Sequence, residues 1–132
     1  MLNRFTRALL ALALVVGFVV ASGAPAQAAR SDCPAAKLCT FWDWDYKGAH
    51  YDYTSPTGTC IEIGYPWDDE TSSIVNNRSI PVRFYVNHGC SPNFWDLSLH
   101  PNSANSGLAL CCSNDEMSSF YISWSPPGGL NY

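Results

Sequence analysis

Two hexapeptides carry the most chemistry in this 132-residue sequence. Asp68-Asp69-Glu70-Thr71-Ser72-Ser73 and Asn114-Asp115-Glu116-Met117-Ser118-Ser119 share the pattern [ND]-[ND]-x-x-[ST]-S at a spacing of 46 positions. Each puts two carboxylate or amide side chains beside a third acid and two hydroxyls, just ahead of a β-like run (Ile74-Val75; Phe120-Tyr121-Ile122). Hard cations such as Ca²⁺ take about six to eight oxygen ligands from carboxylates, carbonyls and hydroxyls, so this composition suits calcium. One loop alone offers too few separated ligands. Two loops related by a pseudo-two-fold, each lending a serine hydroxyl to the other's carboxylates, would do better, and one or two structural calcium ions are the expectation. The competing reading is that the Asx and Ser side chains only cap turns through local backbone hydrogen bonds.

Other chemical constellations are weaker. His50, His88 and His100 are scattered, and none stands at metal-ligand spacing with another His or Cys. No G-x-S-x-G nucleophile motif occurs. Asp43 and Asp45 would lie about 6.5 Å apart along one strand and read as a solvated edge, not as paired glycosidase carboxylates. The chain is therefore not expected to be an enzyme. Trp42, Trp44, Trp67, Trp95 and Trp124 could form a sugar-stacking face, with Trp42 and Trp44 on one side of a strand and Asp43 and Asp45 on the other. Core packing is the default expectation for them, because a small sandwich needs large side chains to fill it.

These residues must be positioned by short strands. Beyond the first 28 residues no segment sustains a 3.6-residue apolar period over three turns, and Gly, Pro, Asn and Ser interrupt the chain at short intervals. Strands are expected at 38–44, 50–53, 60–63, 73–75, 82–86, 94–97, 108–112 and 119–124. The repeated hexapeptide divides them into two four-strand motifs, about 33–80 and 81–125, in an all-β sandwich or barrel. The tail Pro126-Pro127-Gly128-Gly129 cannot continue a ladder and is expected on the surface.

Arg4 and Arg7, an apolar run from Ala8 to Ala21 and the small-residue site Ala26-Gln27-Ala28 read as a secretory signal peptide over residues 1–28. The expected mature domain is 29–132, extracellular, with no membrane contact after cleavage, and acting as a monomer. Of the seven basic and eleven acidic residues, the signal removes two basic ones, leaving five against eleven, a net charge of −6. Nucleic acid is an unsuitable partner for that balance, since phosphate binding relies on clustered Lys and Arg. Cys33, Cys39, Cys60, Cys90, Cys111 and Cys112 all lie in the exported part, and an even count there implies a disulfide framework rather than zinc. Of fifteen pairings, the three joining Cys111 to Cys112 are disfavoured by strain across neighbours. The preferred arrangement puts one bridge in each half: Cys39 with Cys60, and Cys90 with one of the adjacent pair, Cys33 taking the remaining partner.

The spacing Phe41-x4-Tyr46-x-Gly48, followed by the first Asp-Asp-x-x-Ser-Ser, resembles the Greek-key signature of the βγ-crystallin superfamily. That resemblance implies a folded hairpin shaped by the aromatic pair and glycine. It also implies ligand sets of Asp68, Asp69, the Glu70 carbonyl and Ser72, and of Asn114, Asp115, Glu116 and Ser118, with Ser73 and Ser119 pinning the hairpins. No aromatic-x4-aromatic-x-Gly fits around Phe84 to Gly89, so the second hairpin and its carbonyl ligand are not matched. Cys33-Pro34-x4-Cys39, Thr57-Gly58-Thr59-Cys60 and Pro66-Trp67-Asp68-Asp69 look most like the exported bacterial peptidase inhibitors related to the actinomycete metalloproteinase inhibitors. Such a family implies a rigid, substrate-like loop that fills an extracellular metallopeptidase cleft without being turned over. Cys90, Ser91, Pro92 and Asn93, running into Phe94, form one candidate inhibitory loop, and the surroundings of Cys111-Cys112 another. A calcium-binding stability module and a carbohydrate-binding or toxin-like domain are the rival readings.

Overall fold

The computed structural model describes residues 28–108 and 114–132. Residues 1–27, with nearly all of the expected signal peptide, and residues 109–113, with Cys111 and Cys112, lie outside the described part. No helix among the described residues is long and apolar enough to cross a membrane.

Among the described residues there are eight strands, β1 (Leu38–Asp43), β2 (Lys47–Tyr53), β3 (Cys60–Glu62), β4 (Ser73–Asn76), β5 (Val82–Tyr85), β6 (Leu97–Leu99), β7 (Ser103–Asn105) and β8 (Ser119–Ile122). They form two antiparallel four-stranded sheets, ordered β2-β1-β4-β7 and β3-β8-β5-β6. Each sheet thus holds three strands of one motif and the third strand of the other. This exchange of β3 and β7 makes the two motifs one sandwich.

Alternation along the strands gives each sheet an inner and an outer face. Leu38 and Ile74 of one sheet meet Val82, Phe84, Leu99, Phe120 and Ile122 of the other in the main core, with Tyr53, Ile63, Leu108 and Met117. The intervening residues Cys39, Phe41 and Val75 face outward, where Cys33 joins them in a second buried cluster. The outer face of the second sheet carries Arg83 and Tyr85, and the C-terminal segment lies over them. Tyr85 Oη donates to the Pro127 carbonyl (2.9 Å), and Arg83 Nη1 donates to the carbonyls of Gly128 (3.1 Å) and Gly129. The tail expected merely to lie on the surface is a docked strap.

Several expectations are corrected. The apolar run at 94–97 is a loop until Leu97, because Asn93 and Asp96 close a turn there. A strand stands at Ser103–Asn105, where none was expected; Leu108 is not in a strand, and the rest of the expected strand, 109–112, falls outside the described residues. Trp44 does not continue the alternation of Trp42, since β1 ends at Asp43 and a 3-10 turn begins. Nor do most of the tryptophans fill the core: Trp44, Trp95 and Trp124 are 46%, 55% and 63% exposed, while Trp67 packs, partly buried, against the main core.

The disulfides also differ from the expected pairing. Cys33 bonds Cys39, and Cys60 bonds Cys90. The exchange of β3 is the physical reason. Cys60 stands opposite Tyr121 of β8, inside the second sheet, so it meets the second motif's hairpin and not Cys39. With those four paired, only Cys111 and Cys112 remain, outside the described residues.

Candidate functional site

Each motif begins with a folded hairpin. After β1 the chain makes a 3-10 turn, Trp44–Tyr46, with left-handed backbone at Asp45 (φ 56°) and Tyr46 (φ 60°). The Tyr46 ring then meets Phe41 edge-on at 5.8 Å. Gly48 follows, also left-handed, where a Cβ would lie 2.6 Å from an Asp43 carboxylate oxygen, so only glycine fits. Ser73 Oγ donates to the Asp43 carbonyl (2.7 Å) and accepts from the Tyr46 N–H (3.1 Å).

The second motif builds the same hairpin from different residues. His88–Cys90 forms the 3-10 turn, with left-handed Gly89 (φ 69°) and Cys90 (φ 50°). Ser119 Oγ donates to the Asn87 carbonyl (2.6 Å) and accepts from the Cys90 N–H (3.0 Å). Tyr85 therefore stands where Phe41 does, and Cys90 where Tyr46 does. The bridge to Cys60 replaces the aromatic contact, which explains why the aromatic spacing is missing while the hairpin is present.

The two hexapeptides come together across the sandwich. Ser72 Oγ donates to Asp115 Oδ1 (2.8 Å), and Ser118 Oγ donates to Asp69 Oδ1 (3.1 Å). Backbone bonds repeat the exchange: the Asp69 N–H reaches the Met117 carbonyl and the Asp115 N–H reaches that of Thr71. Asp69 and Asp115 share a left-handed conformation, φ 57° and 55°. Sequence reasoning did not single out the hairpin tips. Trp44 Nε1 donates to Asn114 Oδ1 (3.1 Å), and His88 Nε2 lies 3.5 Å from Asp68 Oδ2. Each tip thus touches the first residue of the other motif's loop. The duplication alone could not have pointed to them, since Trp44 stands 29 residues before Ser73 and His88 31 before Ser119.

Two clusters result: Trp44, Ser72, Asn114 and Asp115; and His88, Asp68, Asp69 and Ser118. Glu70 lies outside both by its side chain, which accepts from Trp42 Nε1 (2.9 Å), and the Glu116 side chain is exposed. No three His, Cys, Asp or Glu side chains among the described residues gather as a metal cage. The donors at hand are instead mixed carboxylate, amide and hydroxyl oxygens, the ligand types that a hard cation takes. Asp68 Oδ1 and Thr71 Oγ1 are buried without a hydrogen-bond partner among the described residues. Buried polar atoms are rarely left unpaired, so these orphans fit an oxygen-bound cation. In the second cluster His88 Nδ1 pairs with Glu62 Oε2 at 2.7 Å, and this hydrogen bond, then the charge of Asp68, raises the histidine pKa above its ordinary value.

The candidate inhibitory loop begins at Cys90, which is buried. Ser91 to Trp95 are exposed. Phe94 is 86% exposed and meets Trp95 edge-on at 5.1 Å. Beneath them the Asp96 carboxylate is fully buried. It accepts from the Asn93 N–H (2.7 Å), the Val86 N–H (3.2 Å) and Arg83 Nη2 (3.0 Å).

Residues 26–98, more than half of the chain, match the model of peptidase inhibitor family I36. The chain belongs to that family. No curated protein matches it by sequence. Among solved structures, one from work on the evolution of the eye lens βγ-crystallin domain fold is similar, with a TM-score of 0.58 at 15% identity over 69% of this chain and 89% of that one. A βγ-crystallin from Ciona intestinalis gives 0.54 at 20% identity, covering 66% and 99%. One from an archaeon gives 0.52 at 24%, covering 67% and 99%. At these identities the likeness concerns the fold alone. The family I36 chain is thus a βγ-crystallin-type sandwich, as the Greek-key resemblance implies.

Proposed function

We propose that this family I36 chain is a secreted, non-catalytic inhibitor of an extracellular metallopeptidase, with calcium as a structural ion between its two loops. Family membership carries the inhibitor reading. The disulfides and the family's character accord with an extracellular setting. The loop running on from Cys90 is the inhibitory segment: its start is bridged to Cys60 and its end held by Asp96, so little freedom is lost when a peptidase cleft closes on it. Calcium is supported by the reciprocal serine-to-carboxylate exchange and the orphaned oxygens of Asp68 and Thr71. Asp68, Asp69 and Ser118 would hold one ion, and Asn114, Asp115 and Ser72 a second.

The direct test is incubation of the mature protein with a thermolysin-like enzyme, followed by assay of residual peptidase activity. Stoichiometric loss of activity is expected. Full retention across metallo- and serine peptidases would leave a calcium-binding module without a peptidase target.

One observation favours a second reading. The Trp67 ring lies 5.4 Å from that of Trp42 and 6.1 Å from that of Tyr51, and Tyr51, Tyr65 and Trp67 line an open groove of about 400 Å³. Aromatic faces of this kind can stack on sugars, and glycan binding abolished by Trp42→Ala would support it.

A further inference from the structure

The inhibitor reading leaves open which side chain engages the target, and the loop after Cys90 answers it by geometry. The Asp96 carboxylate faces inward and accepts from the Asn93 N–H, and Asn93 Oδ1 accepts from the Trp95 N–H (3.3 Å). This closes a turn whose two middle residues, Phe94 and Trp95, have nowhere to go but outward. The turn sits on a rigid base. Arg83 beneath it is buried, pairs with Asp96 and is itself held by the strap carbonyls of Gly128 and Gly129. Further back, Ser91 accepts through its carbonyl from Asn87 Nδ2 (3.3 Å), and Cys90 is bridged to Cys60.

A large apolar side chain left almost wholly in water on such a base is the arrangement of an interface anchor. Burying Phe94 in a partner recovers the hydrophobic free energy that folding left unused, and the fixed turn spares the ordering entropy. We propose that Phe94 is the anchor of the inhibitory loop, entering an apolar primary pocket of the target peptidase, and that Asp96 is the positioning residue that holds it there. This rests on the inhibitor reading above.

Asp96 has a second consequence. Hydrolysis of the peptide bond on either side of Phe94 consumes one water and leaves a carboxylate on the residue before the cut and an ammonium on the residue after it. The Cys60–Cys90 bridge lies wholly on the N-terminal side of either bond. Asp96 lies on the other side and still accepts from the Asn93 N–H, the Val86 N–H and Arg83, while β6 stays paired with β5. The new ends remain in one turn and the peptidase stays occupied.

The test compares inhibition constants of the full chain and its variants against thermolysin and chymotrypsin, whose pockets are apolar, and trypsin, whose pocket is acidic at its base. The wild type is expected to inhibit at least one of the first two. Phe94→Ala weakens that inhibition on the order of 30-fold or more, the loss typical of a central anchor, with an unchanged melting temperature because the side chain is exposed. Phe94→Arg transfers inhibition towards trypsin. For the positioning role, Asn93→Ala breaks one bond of the turn without touching the buried ion pair, and Asp96→Asn is assayed well below its melting temperature. Both are expected to be cut faster next to Phe94 than the wild type. Inhibition by the wild type with unchanged constants in Phe94→Ala and no transfer in Phe94→Arg overturns the anchor alone. Unchanged cleavage rates in Asn93→Ala and Asp96→Asn overturn the positioning role. Failure of the wild type to inhibit any peptidase removes the inhibitor reading itself.

Discussion

Ser72 and Ser118 each belong to one loop and serve the other. A hydroxyl that donates to an aspartate oxygen in a partly buried seam contributes about 1 kcal/mol. Ser118→Ala is therefore expected to lower the melting temperature by several degrees. It should also weaken the heat of calcium binding in calorimetry, as should Asp69→Ala; unchanged heats in both would remove the ion from the seam. The exchange was legible because the hexapeptide occurs twice, and a repeated set of oxygen donors invites the question of how the copies meet. The tips at Trp44 and His88 were not legible, because indole and imidazole share no chemistry that a pattern would catch. They are equivalent only by their place after Asp43 and Asn87.

At the level of elements, the hairpins show what a motif search can miss. The first declares itself through Phe41, Tyr46 and Gly48. The second carries Tyr85, Cys90 and Pro92 at the same places, so the ring packing that fixes the first turn is replaced by a covalent bond to β3. The two bridges consequently differ in worth. Cys60–Cys90 spans 30 residues and Cys33–Cys39 only 6, so on the chain-entropy model the longer loop contributes about 1.4 kcal/mol more. Urea denaturation of the variants Cys60→Ser/Cys90→Ser and Cys33→Ser/Cys39→Ser should show the larger loss in the first pair, along with loss of peptidase inhibition. An equal loss would mean that the bridge does not fix the second hairpin. The strands themselves were mostly readable from apolar alternation. Ser103–Asn105 was not, since an edge strand of Ser, Ala and Asn has no β signature and exists because Ile74 to Asn76 offer it a free ladder. Phe94 and Trp95 misled for the opposite reason: they look like strand residues and serve the surface.

The molecule as a whole buries two phenols, Tyr53 in the main core and Tyr85 under the C-terminal strap. Tyr53 and Tyr85 are both pushed up to about 12, chiefly by burial, from an ordinary value of 10.0. The folded state favours the neutral phenol, so this contribution to stability is fully present below pH 10 and is lost as pH rises through about 12. Urea midpoints should fall steeply across that window, and Tyr85→Phe should flatten the fall. A midpoint insensitive to pH there would mean that the phenols are hydrated. The exchange of third strands was out of reach of the sequence, because β3 and β7 pair with chain segments far from their own motif and nothing local records it. It also decides when the molecule can exist. β8, the last strand, lies in the middle of its sheet, between β3 and β5. A ribosome that still withholds β8 and the loop before it therefore withholds the second sheet, the docking of the strap and the seam between the loops together. Until β8 has emerged the chain stays threadable, and then the second sheet closes as one piece.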